Sequence, residues 1–329
     1  MKPLFLLLIA CFPAFGQGQA GTSSEEPMIR LTGEAQGTAY HIKYRDGRQR
    51  TFQKEIDSLL ADIDRSLSIY RSDSEISEFN RSMSHRFRLP HFYAVLKKSA
   101  EIFRAAKGAF DPTVLPLVEA YGFGPARRPK GAPVKVDSLL QYVGFQYITF
   151  DSVSVAKQKP NIRLDLNSIA QGYSVDQVAA LLEAQNIQHY MVEIGGEVRT
   201  KGQKSNGQPW TIGIENPLMP AQLQTTLKMH DRAMTTAGNY RNRYEANGQV
   251  FSHIINPKTG EMEQSAILSV TVFAEDAITA DGYDTAFFVM GLEAVKEFLR
   301  TRKDMDVYVL YTDEAGRLNT FSTEGVKNL

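Results

Sequence analysis

The order of strand-like and helix-like segments is the feature that most constrains the fold of this chain. Tyr40, Ile42 and Tyr44 alternate with other residues, which predicts a half-buried strand. From Phe52 to Leu67 the apolar residues recur every three or four positions, which predicts an amphipathic helix. Strands and helices follow one another without regular βαβ alternation and without an internal repeat. The pattern therefore favours an α+β fold.

The remaining predicted elements are spread over the whole chain. Helices are predicted at about residues 92–107, 136–143, 170–185, 277–290 and 292–300. Strands are predicted at about residues 37–44, 147–151, 154–156, 190–194, 197–201, 211–214, 225–229, 233–236, 251–255, 268–273 and 305–311. The side chains of residues 165–168 are of the kinds that cap helices, and they precede one of these helices.

Charge and hydropathy argue against two classes of function. The chain has 37 Lys and Arg residues and 37 Asp and Glu residues among 329, so its formal net charge is zero. A balanced charge gives no electrostatic reason to expect a nucleic-acid partner, and we expect none. Beyond residue 20, no segment has the roughly 18 consecutive apolar residues that a membrane-spanning helix needs.

The first twenty residues have the layout of a secretory signal. Lys2 precedes the apolar run Leu4–Ala10, and small or polar residues follow at positions 16–21. This run is too short to span a bilayer and is followed by a zone suited to cleavage, so we expect a signal peptide at residues 1–20. A buried first strand is the alternative. We expect a polar tether at 21–29 and a single catalytic domain at 30–329.

The only cysteine, Cys11, lies within the predicted signal. The sequence Leu8-Ile9-Ala10-Cys11 resembles a bacterial lipobox, in which residues 1–10 are the lipoprotein signal and the cysteine carries the lipid. Ordinary cleavage after Gly16 or Ala20 competes with this reading. We therefore expect an exported, periplasmic protein, either free or anchored through lipidated Cys11. In both cases the processed chain has no disulfide.

Four short segments contain more Gly, Asp, Thr and Tyr than folding alone requires. They are residues 70–80, 108–117, 165–173 and 193–197. Each can also be explained by structure alone. Residues 70–80 could be a solvated turn and 108–117 a rigid loop that contains prolines, while 165–173 could be a helix cap and 193–197 a hairpin turn. Each also suits a ligand, because free N–H groups at a helix start attract anions and paired glycines admit a ligand close to the backbone. No phosphate-binding loop or dinucleotide fingerprint is present, so the sequence does not support a Rossmann dehydrogenase.

A group of oxygen-bearing side chains follows near the carboxyl terminus. Asp281, Asp284 and Thr285 are three and four residues apart, so they share one face of the predicted helix. Two carboxylates and a hydroxyl are ligands that suit Mg²⁺ better than zinc. A helix cap that interacts with the helix dipole is the alternative. His253 is open to both a structural and a catalytic role.

Taken together and in order, these motifs resemble the ApbE family over residues 36–291. The matching segments are Gly37-Thr38-x-Tyr40, Tyr70-Arg71-x-Asp73-Ser74-x-Ile76, Phe110-Asp111-Pro112-Thr113-Val114-x-Pro116-Leu117, Asp165-Leu166-x-x-Ile169-Ala170-x-Gly172-Tyr173-x-Val175-Asp176, Gly195-Gly196, Gly238-x-Tyr240, His253-Ile254-Ile255-x-Pro257-x-Thr259-Gly260 and Ala280-Asp281-x-x-x-Thr285. Each motif alone is weak, but eight in family order are specific.

The resemblance implies a FAD:protein FMN transferase with an α+β fold and one flavin-binding cleft between two closely packed subdomains. Such enzymes split the FAD pyrophosphate, release AMP and attach FMN to a threonine of an exported or membrane protein. Family acceptors include subunits of Rnf- and Nqr-type electron-transfer complexes, with a site of the Asp-x-x-Ser/Thr-Gly-Ala-Thr kind. Two alternatives stay open: a FAD pyrophosphatase, in which water replaces threonine, and a non-catalytic flavin-binding lipoprotein.

The resemblance also implies roles for individual residues. FAD would contact Gln36, Tyr70, Ala109, Phe110, Asp111, Asp165, Gln171 and the backbone near His253 and Ile255. Mg²⁺ would be bound by Asp281, Asp284, Thr285 and the Ser168 carbonyl. His253 would assist proton removal from the acceptor threonine, because imidazole suits that role near neutral pH.

The chain departs from the family pattern at four positions. Gln36 stands where methionine is frequent, Gln171 where lysine or glutamate is, Ala237 where serine is, and Asn256 where aspartate is. We interpret these changes as adjustments of the pocket.

Overall fold

The computed structural model describes residues 26–126, 129, 131–219, 222–240, 243–246, 249–263 and 265–327. The predicted signal peptide, Cys11 and most of the predicted tether lie outside these residues. The first strand begins at Met28, so the last two residues of the predicted tether, Met28 and Ile29, belong to it. None of the helices in the described ranges is long and apolar enough to cross a membrane.

The described residues form strands and helices in mixed order, and the α+β fold is confirmed. The strands are β1 (Met28–Ala35), β2 (Thr38–Arg45), β3 (Ser84–Arg86), β4 (Ile148–Phe150), β5 (Ser154–Lys157), β6 (Tyr190–Ile194), β7 (Glu197–Lys201), β8 (Trp210–Glu215), β9 (Leu223–Met229), β10 (Ala233–Gly238), β11 (Arg243–Ala246), β12 (Gln249–Ser252), β13 (Ile267–Ala274), β14 (Asp306–Thr312) and β15 (Leu318–Ser322). The helices are α1 (Gln53–Leu67), α2 (Glu75–Arg81), α3 (Pro90–Ala105), α4 (Leu115–Ala120), α5 (Val136–Leu140), α6 (Asn167–Ala184), α7 (Ala277–Met290), α8 (Leu292–Thr301) and α9 (Glu324–Lys327).

Eight of these strands form one antiparallel sheet in the order β1-β2-β6-β7-β10-β13-β14-β15. The alternation at Tyr40, Ile42 and Tyr44 places these side chains, all fully buried, on the face that packs against the helices. Helix α1 buries Ile56 and Ile63 in the same core, as its spacing predicts.

The second face of the sheet is covered by the hairpin of β8 and β9. Trp210, Ile212 and Met229 of the hairpin pack with Met234 and Phe273 of the large sheet in a separate apolar cluster. The hairpin therefore forms its own layer on this face of the sheet.

Helices α6 and α7 lie side by side in the main core and carry most of the candidate site residues. They approach closely at Gly172, where a Cβ atom would overlap the carbonyl oxygen of Ala277. Helix α6 begins at Asn167, and its N-cap residue, Leu166, makes no side-chain capping bond. The predicted cap is wrong in detail: Asp165 Oδ1 instead accepts a hydrogen bond from the Asn167 N–H at 2.9 Å, in a turn just before the helix.

Several short elements escape the sequence pattern. The segment from Tyr70 is partly helical, because Ser74 accepts a bond from the Ser77 N–H and so caps α2, which buries Ile76 and Phe79. Helix α4 and the strands β3, β11 and β15 span only three to six residues, too few to show a hydrophobic period.

Candidate functional site

A cavity of about 670 Å³ opens where α6, α7, β10, the β8–β9 hairpin and the segment 109–124 meet. Its walls contain both carboxylates and apolar side chains. They are formed by Tyr70, Ala109, Phe110, Asp111, Val114, Val118, Phe123, Gly124, Asp165, Asn167, Ser168, Gln171, Gly195, Gly196, Glu197, Gly213, Ile214, Glu215, Leu223, Met234, Thr236, Ala237, Gly238, Tyr240, His253, Ile254, Ile255, Pro257, Asp281, Asp284 and Thr285.

The cavity brings together all but one of the residues predicted from the motifs. Its walls include the predicted metal ligands, His253 and the predicted flavin contacts other than Gln36. Gln36 lies in the turn between β1 and β2 with a positive φ of 55°, and its Nε2 donates to Ser174 Oγ at 2.6 Å. Its side chain is engaged with α6 and does not line the cavity, so the structure gives no support to a flavin contact there.

Asp281 and Asp284 form a buried acidic pair on the cavity-facing side of α7. They are 5% and 2% exposed, respectively. Burial raises the pKa of Asp281 to about 7. Burial, and then the nearby charge of Asp281, raise the pKa of Asp284 well above its usual range. The Thr285 hydroxyl donates to Asp284 Oδ1 at 3.2 Å, which places all three predicted oxygen ligands of this helix together.

The acidic pair is tied to α6 by a backbone contact. Oδ2 of Asp281 accepts a hydrogen bond from the Gly172 N–H at 2.7 Å. Four residues before Gly172, Ser168 has φ −79° and ψ 15°, so its backbone departs from helical geometry and its carbonyl is turned out of the regular helix direction. Ser168 lines the same cavity as the acidic pair.

A second carboxylate fixes the start of α7 from the other helix. Asp176 of α6 accepts hydrogen bonds from the backbone N–H groups of Ala277 and Ile278 at 2.9 and 2.8 Å. Arg199 donates to the same carboxylate at 2.6 Å. Burial raises the pKa of Asp176, and the positive charge of Arg199 opposes that rise. Asp176 thus fills the place of a helix cap while belonging to a neighbouring helix.

The oxygen chemistry of this wall fits a hard divalent cation. The described residues contain no group of three or more His, Cys, Asp or Glu side chains arranged to hold a metal. The predicted site is of another kind, with two carboxylates, one hydroxyl and one carbonyl. The two carboxylates repel each other in a buried place, and a cation between them would remove this repulsion.

The segment at Asp111 is held in place because its carboxylate is bound both within the segment and from outside it. Asp111 Oδ1 accepts bonds from the N–H and the hydroxyl of Thr113, and Oδ2 accepts one from the Phe145 N–H. Burial raises the pKa of this carboxyl. Each oxygen of Asp111 therefore already accepts a hydrogen bond from the protein, and Ala109 and Phe110 line the cavity beside it.

Tyr70 and Asp165 lie close to each other in the cavity wall. Tyr70 is 65% exposed, and burial of its hydroxyl followed by the charge of Asp165 raises its pKa. Burial also raises the pKa of Asp165 to about 6. An exposed aromatic ring beside a carboxyl group can bind a planar, hydrogen-bonding ligand.

The paired glycines form a tight turn between β6 and β7. Gly195 and Gly196 have φ values of 62° and 108°, which L side chains rarely adopt. A Cβ atom at Gly195 would overlap Nε2 of Gln171, so the Gln171 amide lies directly on the turn. This turn exposes its backbone to the cavity, as the sequence suggests.

His253 stands in the wall on the side of the strand β12. Its ring packs edge-on against the Phe123 ring, with centroids 6.3 Å apart. It is half-buried, and the apolar residues that follow it, Ile254 and Ile255, are buried. The contact with Phe123 orients the imidazole while its position in the cavity wall leaves it accessible to a ligand.

One wall of the cavity was not predicted. Gly213, Ile214, Glu215 and Leu223 of the β8–β9 hairpin line it, yet they match no motif. A glycine within an otherwise apolar strand was the available signal, because such a glycine often marks a close approach. At Gly213 the close neighbour is the Leu223 side chain from the paired strand.

The model of the ApbE family matches residues 36–309. The chain belongs to the ApbE family. Among curated ApbE relatives, the FAD:protein FMN transferase of Haemophilus influenzae is 36% identical over 345 aligned positions, covering 100% of this chain and 99% of the relative. The FAD:protein FMN transferase of Vibrio cholerae is 38% identical over 283 positions, covering 83% and 85%.

Solved ApbE structures share the fold of this chain. The flavin transferase ApbE from Vibrio cholerae superposes with a TM-score of 0.84 at 34% identity, covering 92% of this chain and 99% of the other. The flavinyl transferase ApbE of Pseudomonas stutzeri, in its apo form, gives a TM-score of 0.82 at 31% identity, covering 92% and 97%. The α+β architecture is therefore that of the ApbE flavin transferases.

Proposed function

We propose that this chain is a Mg²⁺-dependent FAD:protein FMN transferase that attaches FMN to a threonine of an acceptor protein. The observation that carries the proposal is the buried acidic pair, Asp281 and Asp284, at the wall of a cavity of about 670 Å³ in a member of the ApbE family. A cavity of this size suits a cofactor-sized ligand.

We assign the cavity walls to the parts of FAD by their chemistry. Tyr70, Phe110 and Ala109 provide the aromatic and apolar surface that an isoalloxazine ring requires. Asp165 and Gln171 offer hydrogen-bonding groups beside that surface. The pyrophosphate would then lie towards the acidic pair, where the wall carries oxygen ligands.

The residues fitted to hold Mg²⁺ are Asp281, Asp284 and Thr285, with the Ser168 carbonyl. When bound there, Mg²⁺ would neutralise charge on the pyrophosphate oxygens. Asp176 and the Gly172 N–H keep these ligands in place through the contacts between α6 and α7.

The transfer itself requires one proton to leave the acceptor. The threonine oxygen forms a bond to the phosphorus atom of the FMN half, the bridging P–O bond breaks, and AMP leaves with the bonding electrons. His253 accepts the hydroxyl proton, which is the role that the accessible position of its imidazole suits. If water enters in place of threonine, the same step yields FMN and AMP, which is the pyrophosphatase alternative.

The proposal extends to the cellular setting. We propose that the chain is exported to the periplasm by residues 1–20 and that it is either free there or held at the membrane by lipid on Cys11. The acceptor would be an exported or membrane subunit of an Rnf- or Nqr-type complex. The N-terminal pattern of a charged residue, an apolar run and small residues supports the export step.

A gel-based flavinylation assay tests the proposal. The purified chain is incubated with FAD, MgCl₂ and a recombinant acceptor domain carrying an Asp-x-x-Ser/Thr-Gly-Ala-Thr site. Flavin fluorescence is then read in a denaturing gel, and AMP is measured in parallel. We expect a fluorescent acceptor band with wild type and none with Asp281→Ala.

Asp276→Ala is the matched control, because Asp276 caps the same helix by accepting a bond from the Thr279 N–H at 2.9 Å but does not line the cavity. It should label the acceptor. Equal labelling by wild type and Asp281→Ala would refute the metal assignment. AMP release that is equally fast without acceptor would favour the pyrophosphatase, and FAD retained intact with both Mg²⁺ and acceptor present would favour a flavin-binding protein.

A further inference from the structure

Three large apolar side chains are exposed together at the turn end of the β8–β9 hairpin. Leu218, Met219 and Leu223 are 54%, 49% and 58% exposed. The described residues contain six exposed large apolar side chains, and three of them lie in this connection or at the first position of β9. Monomeric proteins seldom expose neighbouring apolar groups without a partner for them.

The backbone of this connection is held in place from inside. The buried side chain of Asn216 accepts bonds from the N–H groups of Leu218 and Met219 at 2.9 and 3.2 Å, and donates to the Gln224 amide at 2.9 Å. Pro217 is buried as well. These hydrogen bonds hold the backbone at Leu218 and Met219, and both side chains are exposed to solvent.

The exposed side chains continue the wall of the cavity. Leu223 lines the cavity and packs on Gly213, which lines it too. Leu218 and Met219 do not line it. A ligand enclosed in the cavity would consequently leave Leu218 and Met219 uncovered, so their partner has to be larger than the flavin.

We infer that Leu218 and Met219, together with Leu223, form a docking surface for the acceptor protein, beside the site where its threonine reacts. This inference rests on the proposed function, in which a protein substrate must reach the cavity. The occupant is a folded acceptor that presents apolar side chains next to its flavinylation site. Unbranched methionine adapts its shape to an apolar partner, which suits a contact with a protein surface.

The surface acts on acceptor binding and leaves flavin binding unchanged. In many protein complexes a few interface residues contribute most of the binding free energy. Replacing Leu218 and Met219 by serine should thus raise the KM for the acceptor by about tenfold, while kcat and the Kd for FAD stay the same.

The experiment uses the full chain with the double substitution Leu218→Ser and Met219→Ser. The matched control carries Met83→Ser and Val153→Ser, two side chains that are each 45% exposed and that do not line the cavity. Flavinylation is measured against the concentration of a recombinant Nqr- or Rnf-type acceptor domain. FAD binding is measured separately by flavin fluorescence, and folding by the Tm.

A rise in the KM for the acceptor domain in the double variant alone, with wild-type FAD affinity and Tm, supports the docking surface. An unchanged KM would overturn it. Weaker FAD binding in the double variant would also overturn it, because Leu218 and Met219 would then contribute to the flavin site. If wild-type enzyme releases AMP but labels no acceptor, the proposed transferase function fails, and this inference fails with it.

Discussion

Oδ2 of Asp281 accepts a hydrogen bond from the backbone N–H of Gly172 at 2.7 Å, across 109 residues of sequence. The bond joins a proposed metal ligand on α7 to the backbone of α6, next to the turn that carries the Ser168 carbonyl. Asp176 makes the reciprocal contact from α6 to the start of α7. The two helices thus hold the candidate site between them.

The role of Asp176 can be separated from ordinary helix capping. Asp176→Asn keeps one acceptor oxygen for the Ala277 N–H and Arg199 but turns an NH2 group towards the Ile278 N–H, which then loses its acceptor. We expect the Mg²⁺ concentration for half-maximal labelling to rise about tenfold or more, because the start of α7 shifts. The control Asp276→Asn keeps a capping oxygen for the Thr279 N–H, so it should change the free energy of unfolding by less than about 0.5 kcal/mol and leave that concentration unchanged. Equal effects in both variants would contradict a positioning role.

Gly172 is required by the close approach of the two helices. In Gly172→Ala the new methyl group would overlap the Ala277 carbonyl oxygen, which cannot rotate away. We expect the free energy of unfolding to fall by about 2–3 kcal/mol, as measured by urea denaturation.

Gly282→Ala is the comparison for that variant. Its new methyl group would meet the ends of the Ile102 and Ile169 side chains and no backbone atom, and side-chain ends can move. We expect a change of less than about 1 kcal/mol, because alanine also favours the helix. A larger loss in Gly282→Ala than in Gly172→Ala would show that the packing argument is wrong.

The buried carboxyl of Asp165 should make stability depend on pH. Its pKa rises from 3.8 to about 6 on folding, so between these values the folded chain binds more protons than the unfolded chain. The free energy of unfolding therefore falls as pH rises through this window. Asp165→Asn lacks this loss and should be more stable than wild type at pH 7 by about 1 kcal/mol, a figure reduced for partial exposure.

That advantage should disappear at pH 4, where the wild-type carboxyl is protonated in the folded chain. Thermal denaturation of both proteins at pH 4 and pH 7 gives the comparison. A stability difference that is the same at both values would contradict the raised pKa of Asp165.

His253 is expected to act on the rate of transfer more than on flavin binding. His253→Gln keeps a polar side chain of similar size but removes the proton acceptor, so kcat for labelling should fall by about 100-fold or more. FAD affinity, read by flavin fluorescence, should change little. The control His41→Gln alters an exposed histidine on β2 that does not line the cavity and should leave kcat unchanged. A wild-type kcat in His253→Gln would exclude the catalytic role.

The sequence determined those features that depend on neighbours along the chain. The alternation at Tyr40, Ile42 and Tyr44 and the spacing of apolar residues in α1 define a strand and a helix, because each periodicity matches only one backbone geometry. Asp281, Asp284 and Thr285 are brought together by helical spacing alone. The ordered motifs located the predicted metal ligands, His253 and all of the predicted flavin contacts in the cavity except Gln36.

Only the tertiary structure decided the contacts between distant residues. The pairing of Asp176 with Ile278 spans 102 positions, and no local pattern encodes it. Gln36 faces Ser174 and not the cavity, because the β1–β2 turn packs on α6. The β8–β9 wall, with Gly213 under Leu223, depends on how one layer packs on another. Such contacts arise from the packing of whole elements, so they become visible only when the chain is folded.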